Sequence, residues 1–128
     1  MAIAPPARVW IVDGDQWPRA VLRAELIERG YDAVGFVALR DAVVRLVSFP
    51  RQGPQAIVVD LQGQMDDVSL LAALFRRGIA VVAITGAAEA ATPGVRDLTW
   101  AALLHRPVTI GAVADALLAS DLQGTSSP

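Results

Sequence analysis

The chain has 128 residues, enough to bury the core of one domain, and 54% hydrophobic and 19% charged residues indicate a globular protein. A net charge of −2 gives no excess of positive charge that would bind nucleic acid or an anionic membrane, so neither is expected as a partner. With no cysteine and one histidine, disulfides, thiolate metal sites and polyhistidine metal sites are excluded. The sequence has no signal peptide and no apolar run of about 20 residues, so a cytoplasmic location is expected.

Segments typical of strands alternate with segments typical of helices from the first apolar run onward. Val9 to Asp13 and Ala56 to Asp60 are short apolar runs that each end in a carboxylate. Runs of this kind predict strands that are buried on both faces. Three further strands are predicted at 31–37, 79–84 and 101–105.

Helical periodicity or capping residues follow the predicted strands. A first helix, with Pro18 in its first turn, is expected to run to about Arg29, because proline is tolerated in a first turn and Gly30 can end the helix. Thr109 can cap the last helix, whereas the pattern between 87 and 100 is weak. Two middle helices are predicted from their apolar faces: Leu39, Val43, Leu46 and Val47 for one, and Val68, Leu71, Ala72 and Phe75 for the other.

The predicted elements make five βα units in succession. Such alternation predicts an α/β protein with a single doubly wound, five-stranded parallel sheet, helices on both faces and right-handed crossovers. We expect one domain over residues 8–120, with residues 1–7 as an N-terminal extension and residues 121–128 as a flexible tail.

Polar residues with complementary chemistry follow four of the predicted strands. Because the carboxyl ends of parallel strands share one edge of a sheet, Asp13, Asp60, Thr85 and Arg106 are expected to converge there. Carboxylates can bind Mg²⁺, while a hydroxyl and a basic side chain can contact the oxygens of a phosphoryl group carried on one carboxylate. The sequence therefore predicts a site for a hard cation and a phosphoryl group.

Over residues 8–120 the chain resembles the receiver domain of two-component response regulators. The resemblance is carried by Val-Trp-Ile-Val-Asp-Gly-Asp at 9–15, Glu-Arg-Gly-Tyr at 28–31, Ile-Val-Val-Asp-Leu at 57–61, Ala-Ile-Thr-Gly at 83–86 and Arg-Pro at 106–107. It implies a flavodoxin-like fold with strand order 2-1-3-4-5, and a phosphorelay in which a histidine kinase or phosphotransfer protein supplies an aspartyl phosphate.

The resemblance also implies roles for particular residues. Asp60 matches the phosphoacceptor, Thr85 matches the switch hydroxyl, and Arg106 stands where the family has a lysine. Mg²⁺ would be held by Asp13, Asp60 and the backbone carbonyl of Gln62.

Several positions depart from the family pattern. Gly14 stands where the family has a second acidic residue, so one metal-binding carboxylate is missing and Mg²⁺ binding is expected to be weak or absent. Asp15 lies one position beyond the family's second acidic residue and is better interpreted as a helix N-cap. Arg106 has a planar guanidinium group where a lysine would have a compact ammonium group. We expect this guanidinium to pair bidentately with Asp60 or Asp13 in place of the metal. Leu103 takes the place of an aromatic switch residue.

Two functions remain open from the sequence. The first is a receiver that accepts phosphate on Asp60, and the second is a pseudo-receiver that docks a protein partner or forms a homodimer without phosphorylation. The sequence modestly favours the second mechanism. Neither function is that of an enzyme, beyond self-catalysed phosphotransfer to Asp60. A small flavodoxin-like enzyme or nucleotide binder is disfavoured, because Asp-Gly-Asp and not a glycine-rich loop follows the first strand.

Overall fold

A computed structural model describes residues 5–120 of the chain. Five strands, all parallel, form one sheet in the order β2-β1-β3-β4-β5, so the predicted architecture and strand order are confirmed. The strands are β1 (Arg8–Val12), β2 (Asp32–Phe36), β3 (Ala56–Asp60), β4 (Ala80–Thr85) and β5 (Ala102–His105). The helices are α1 (Gln16–Glu28), α2 (Leu39–Ser48), α3 (Leu71–Arg76), α4 (Ala87–Ala90), α5 (Pro93–Arg96) and α6 (Ile110–Ala119).

The ends of the predicted domain are only partly described. The predicted tail at 121–128 and the first four residues of the predicted extension lie outside the described residues. Ala7, at the end of that extension, accepts a hydrogen bond from the backbone N–H of Asp32 at 2.9 Å, so it continues the pairing of β1 with β2. No helix among residues 5–120 is long and apolar enough to cross a membrane.

The sheet separates two apolar cores, and the pleat assigns residues to them. Alternate residues of a strand point to opposite faces, so Val9 and Ile11 of β1 face one core while Trp10 and Val12 face the other. α1 and α6 cover the first core, and α2 and α3 cover the second. Both cores bury β1, β3 and β4 almost completely, which explains their unbroken apolar runs.

The predicted faces of two helices need correction. Val47 was expected to face inward but is 64% exposed, because α2 packs on the sheet through Leu39, Ala42 and Leu46. Ala72 is likewise exposed, since the segment before α3 is a 3₁₀ helix (Met65–Leu70), whose tighter winding changes the register of the face that follows.

A glutamine from a distant loop takes over the capping of α2. Ala38 occupies the N-cap position, where alanine offers no side-chain acceptor. Gln64, which is 4% exposed, instead accepts a hydrogen bond from the backbone N–H of Leu39 at 2.9 Å and donates one to the carbonyl of Val37 at 3.0 Å. Gln64 therefore ties the loop after β3 to the start of α2.

We expect Gln64→Ala to lower the free energy of unfolding by about 1–2 kcal/mol, because it leaves the N-terminus of α2 and the carbonyl of Val37 without their side-chain partner. Urea unfolding followed by circular dichroism measures this. Gln62→Ala, at an exposed position of the same loop, is the matched control and should change stability by less than about 0.5 kcal/mol. Equal losses in the two variants would contradict the capping role of Gln64.

Candidate functional site

Four of the five predicted site residues line one pocket at the carboxyl edge of the sheet: Asp13, Asp60, Gln62 and Arg106. Asp60 is the last residue of β3, and Asp13 and Arg106 come directly after β1 and β5. The pleat turns all three positions towards the face covered by α1 and α6. The pocket has a volume of about 680 Å³. Its lining comprises Asp13, Gly14, Asp15, Gln16, Pro18, Asp60, Gln62, Gly63 and Arg106.

Asp60 is held by an arginine and by its own loop. Arg106 Nη1 donates to Asp60 Oδ1 at 2.6 Å, and the backbone N–H of Gln62 donates to the same oxygen at 3.0 Å. The pairing of Arg106 with Asp60 is thus present, but the bidentate geometry that the sequence suggested is wrong. Gln62 contacts Asp60 through its N–H, and the metal-binding role of its carbonyl stays a prediction.

The second amine of Arg106 points towards a residue that the sequence reasoning missed. Arg106 Nη2 lies 3.5 Å from Glu89 Oε1 in α4. The same glutamate oxygen accepts a hydrogen bond from the backbone N–H of Gly86 at 2.8 Å and so caps α4. Arg106 therefore bridges the carboxylates of Asp60 and Glu89 and connects β3 to α4. The capping spacing of Gly86 and Glu89 was the available signal in the sequence.

Asp13 is the most enclosed carboxylate of the pocket. It is only 9% exposed, and this burial is the main reason why its pKa is raised above the ordinary value of 3.8. The hydrogen bond from the backbone N–H of Asp15 to Asp13 Oδ1, at 2.9 Å, acts in the opposite direction. The negative charges of Asp60 and Asp15 raise the pKa further, and the charge of Arg19 lowers it.

An arginine of α1 fixes the backbone of the pocket. Arg19 Nη1 donates to the carbonyl of Asp13 at 2.7 Å, and its side chain crosses β2 at Gly35. A Cβ atom at Gly35 would lie 3.1 Å from Arg19 Cγ and Cδ, which is tighter than ordinary van der Waals contact. Gly35, which interrupts the apolar pattern of the second strand, therefore makes room for this arginine.

Gly14 offers no ligand, but the space around it is open. A Cβ atom there would meet only Gln64 Nε2 at 3.8 Å and the carbonyl of Val37 at 3.9 Å. Gly14 also lacks the left-handed backbone conformation that would require glycine. Asp15 accepts a hydrogen bond from the backbone N–H of Trp17 at 3.3 Å, so its predicted role as the N-cap of α1 is confirmed.

Thr85 does not reach the pocket in this conformation. It is fully buried, and its hydroxyl donates to the carbonyl of Gly86 at 2.9 Å. The pleat explains this, because Ile84 faces the α1 and α6 side and Thr85 follows it on the opposite side. Thr85 ends β4 at the expected edge, where its carbonyl accepts a hydrogen bond from the backbone N–H of Arg106 at 2.9 Å, but its side chain does not line the pocket. Its role as a switch hydroxyl stays a prediction. Leu103 is partly buried and packs against the core under α2 and α3.

We expect Asp13→Asn to stabilise the protein at neutral pH. Since the pKa of Asp13 is higher in the folded protein, the folded state binds more protons than the unfolded state just above pH 3.8. Stability should therefore fall as pH rises through the raised pKa of Asp13, and Asp13→Asn should remove that part of the fall. Urea unfolding between pH 3 and pH 8 measures it, with the exposed Asp66→Asn as control. An unchanged pH profile in Asp13→Asn would contradict the raised pKa.

The fold is that of the receiver domains of response regulators, and many solved structures of such domains share it. The receiver domain from Bermanella marisrubri is 19% identical, with a TM-score of 0.71 over 88% of this chain and 96% of that one. The response regulator receiver protein from Burkholderia phymatum is 20% identical, with a TM-score of 0.73 over 95% of this chain and 98% of that one.

A third similar structure is the N-terminal domain of a response regulator/sensory box/GGDEF protein from Carboxydothermus hydrogenoformans. It is 21% identical, with a TM-score of 0.73 over 91% of this chain and 95% of that one. At these identities the likeness establishes the fold. No protein-family profile and no curated protein matches the sequence.

Proposed function

We propose that this chain is a receiver-type signalling domain in which Asp60 occupies the phosphoacceptor position but an internal ion pair replaces the metal. Such a domain acts without phosphorylation, by docking a protein partner or a second copy of itself, and is not an enzyme. The contact of 2.6 Å between Arg106 Nη1 and Asp60 Oδ1 carries this proposal.

The donor set of the pocket does not fit Mg²⁺. Mg²⁺ binds through one or two carboxylates and keeps several of its waters, so its site needs carboxylates whose charge no other cation neutralises. Asp60 Oδ1 already accepts hydrogen bonds from Arg106 and Gln62, and Asp13 Oδ1 accepts one from Asp15. Arg106 supplies the positive charge that the carboxylates would otherwise take from a cation.

The same ion pair disfavours phosphoryl transfer to Asp60. That reaction needs one oxygen of Asp60 to attack phosphorus while cationic groups neutralise the three equatorial oxygens of the phosphoryl group. The positive charge of Arg106 is instead shared between Asp60 and Glu89, and the hydroxyl of Thr85 donates to the carbonyl of Gly86. A conformational change in which Arg106 leaves Asp60 would have to come first.

Phosphorylation of Asp60 is the second candidate, and one observation favours it. The pocket is open to solvent, and the side chain of Asp60 keeps 17% of its surface exposed. A histidine kinase or phosphotransfer protein could therefore reach the carboxylate oxygen that Arg106 leaves free.

The two candidates are separated by incubating the protein with acetyl phosphate and Mg²⁺ and measuring its intact mass. We expect no species that carries an added phosphoryl group. The matched control is Asp60→Asn, which removes the acceptor oxygen. A mass gain of one phosphoryl group in the wild type that disappears in Asp60→Asn would overturn the phosphorylation-independent mechanism and establish the second candidate.

A further inference from the structure

An apolar cleft opens beside the pocket that contains Asp13 and Asp60, which we call the acidic pocket. The cleft lies between α1 and α6 and has a volume of about 200 Å³. We call it the α1–α6 cleft. An apolar cavity of roughly 150 Å³ can hold a benzene ring, so the cleft has room for a phenyl or a branched alkyl group. Its apolar lining comprises Pro18, Leu22, Ile84, Val108, Ile110 and Val113.

The acidic pocket and the α1–α6 cleft share charged residues at their boundary. Asp13, Asp60 and Arg106 line both. The charge of Arg106 is taken up by Asp60 and Glu89, with which it forms ion pairs. The carboxylate of Asp13 forms no ion pair within residues 5–120, and Arg19 binds the backbone carbonyl of Asp13 instead of its carboxylate. An uncompensated negative charge therefore lies where the acidic pocket meets the apolar cleft.

Two carboxylate oxygens at this boundary have no hydrogen-bond donor in the described part of the chain. Asp13 accepts from the N–H of Asp15 through Oδ1, and Asp60 accepts from Arg106 and Gln62 through Oδ1. Both Oδ2 atoms keep contact with solvent, since no completely buried side-chain oxygen of the described residues lacks a hydrogen-bond partner. Asp13 as a whole is only 9% exposed, so a ligand that donates to its second oxygen would stabilise a poorly hydrated acceptor.

These features favour an organic cation over the other ligands that could enter. An ammonium group donates up to three hydrogen bonds and carries a single positive charge, which Asp13 can compensate. Mg²⁺ keeps several of its waters and gains nothing from an apolar cleft. An anionic group would be repelled by Asp13, and an uncharged apolar molecule would leave both Oδ2 atoms without a donor.

We propose that the acidic pocket and the α1–α6 cleft together form a site for a small primary amine that carries a phenyl or a branched alkyl group. The ammonium group donates hydrogen bonds to the Oδ2 atoms of Asp13 and Asp60. The apolar group lies in the cleft against Leu22, Ile84 and Val113. This site uses no docking surface, so the inference goes beyond the proposed docking role and stands independently of it.

The test is an NMR titration of the full-length, methyl-labelled protein with benzylammonium, methylammonium and benzyl alcohol. Benzylammonium carries both the charge and the ring, and each of the other two probes carries only one of them. We expect benzylammonium to bind with a dissociation constant of about 1 mM, about ten times more tightly than either of the other probes. Its binding should shift the methyl resonances of Leu22, Ile84 and Val113.

Two variants separate the acidic pocket from the apolar cleft. Asp13→Asn should weaken binding of benzylammonium about ten-fold and leave binding of benzyl alcohol unchanged, because it removes the charge and keeps the shape of the side chain. Val108→Phe should weaken binding of both benzyl probes about ten-fold, because the larger side chain fills the cleft. The matched controls are Asp66→Asn and Val44→Phe, both at exposed positions outside the site, and they should bind as the wild type does.

Several outcomes would overturn the proposal. Equal affinities for benzylammonium and methylammonium would mean that the cleft takes no part, and equal affinities for benzylammonium and benzyl alcohol would mean that the charge takes none. An absence of methyl shifts at about ten times the expected dissociation constant, or unchanged affinity in Asp13→Asn or Val108→Phe, would also overturn it. None of these outcomes bears on the phosphorylation assay, so failure of this inference and failure of the proposed function can be told apart.

Discussion

The double variant Gly14→Asp, Arg106→Lys is expected to take up a phosphoryl group from acetyl phosphate in a Mg²⁺-dependent reaction, whereas the wild type does not. Gly14→Asp adds a carboxylate beside Asp13 and Asp60, and the space around Gly14 accepts a side chain without a clash. Arg106→Lys retains the positive charge but removes the planar fork that bridges Asp60 and Glu89. Asp60 is then free to bind a cation and to attack phosphorus.

Each substitution addresses one defect, so the single variants should fall between the wild type and the double variant. Gly14→Asp alone should raise Mg²⁺ affinity by about ten-fold, which is about 1.4 kcal/mol, but leave phosphorylation poor, because Arg106 still holds Asp60. Mg²⁺ titration by calorimetry and intact mass after acetyl phosphate treatment measure the two effects. Gly94→Asp, at an open position of α5 outside the pocket, is the control. A double variant as inert as the wild type would contradict this account of the site.

Arg106→Met is expected to lower the free energy of unfolding by about 1–2 kcal/mol. It leaves the carboxylates of Asp60 and Glu89 without their shared cation, next to the buried Asp13. The loss is smaller than for a fully buried pair, because the side chain of Arg106 keeps 31% of its surface in water. Arg40→Met removes an ion pair whose arginine is 68% exposed, and this control should lose less than about 0.5 kcal/mol.

A double-mutant cycle isolates the ion pair. Arg106→Met, Asp60→Asn and their combination should give a coupling energy of about 1–2 kcal/mol from urea unfolding. Additive losses, with a coupling energy near zero, would mean that Arg106 and Asp60 do not stabilise one another in solution. The ion pair could not then keep Asp60 from binding a cation or a phosphoryl group.

Much of the fold followed from local patterns, because each apolar run and each capping residue reports on its own element. The ends of β1 and β3 were predicted from Asp13 and Asp60, and parallel topology then brought both carboxylates to the same edge as Arg106. Thr85 lies at the predicted edge, but its side chain does not join the pocket, because Ile84 and Thr85 alternate along β4 and Ile84 takes the side that the pocket is on. That signal was present in the sequence.

Other features depend on contacts between distant segments and have no local signature. Gln64 caps α2 from a loop 25 residues away, and no pattern around Ala38 or Gln64 indicates that partnership. The exposure of Val47 depends on how α2 rotates against the sheet, which side-chain volumes in the second core decide. Arg106 can either pair bidentately with Asp60 or bridge Asp60 and Glu89, and the position of α4 likewise decides which of the two forms.

The central claim, that Arg106 takes the place of the metal, is tested most directly by a high-resolution crystal structure from crystals grown with millimolar Mg²⁺ and beryllofluoride. We predict that Arg106 Nη1 will lie within hydrogen-bond distance of Asp60 Oδ1, as it does here at 2.6 Å, with neither a metal ion nor a beryllofluoride adduct on Asp60. A Mg²⁺ ion between Asp13 and Asp60, with Arg106 displaced onto a beryllofluoride group, would contradict the account.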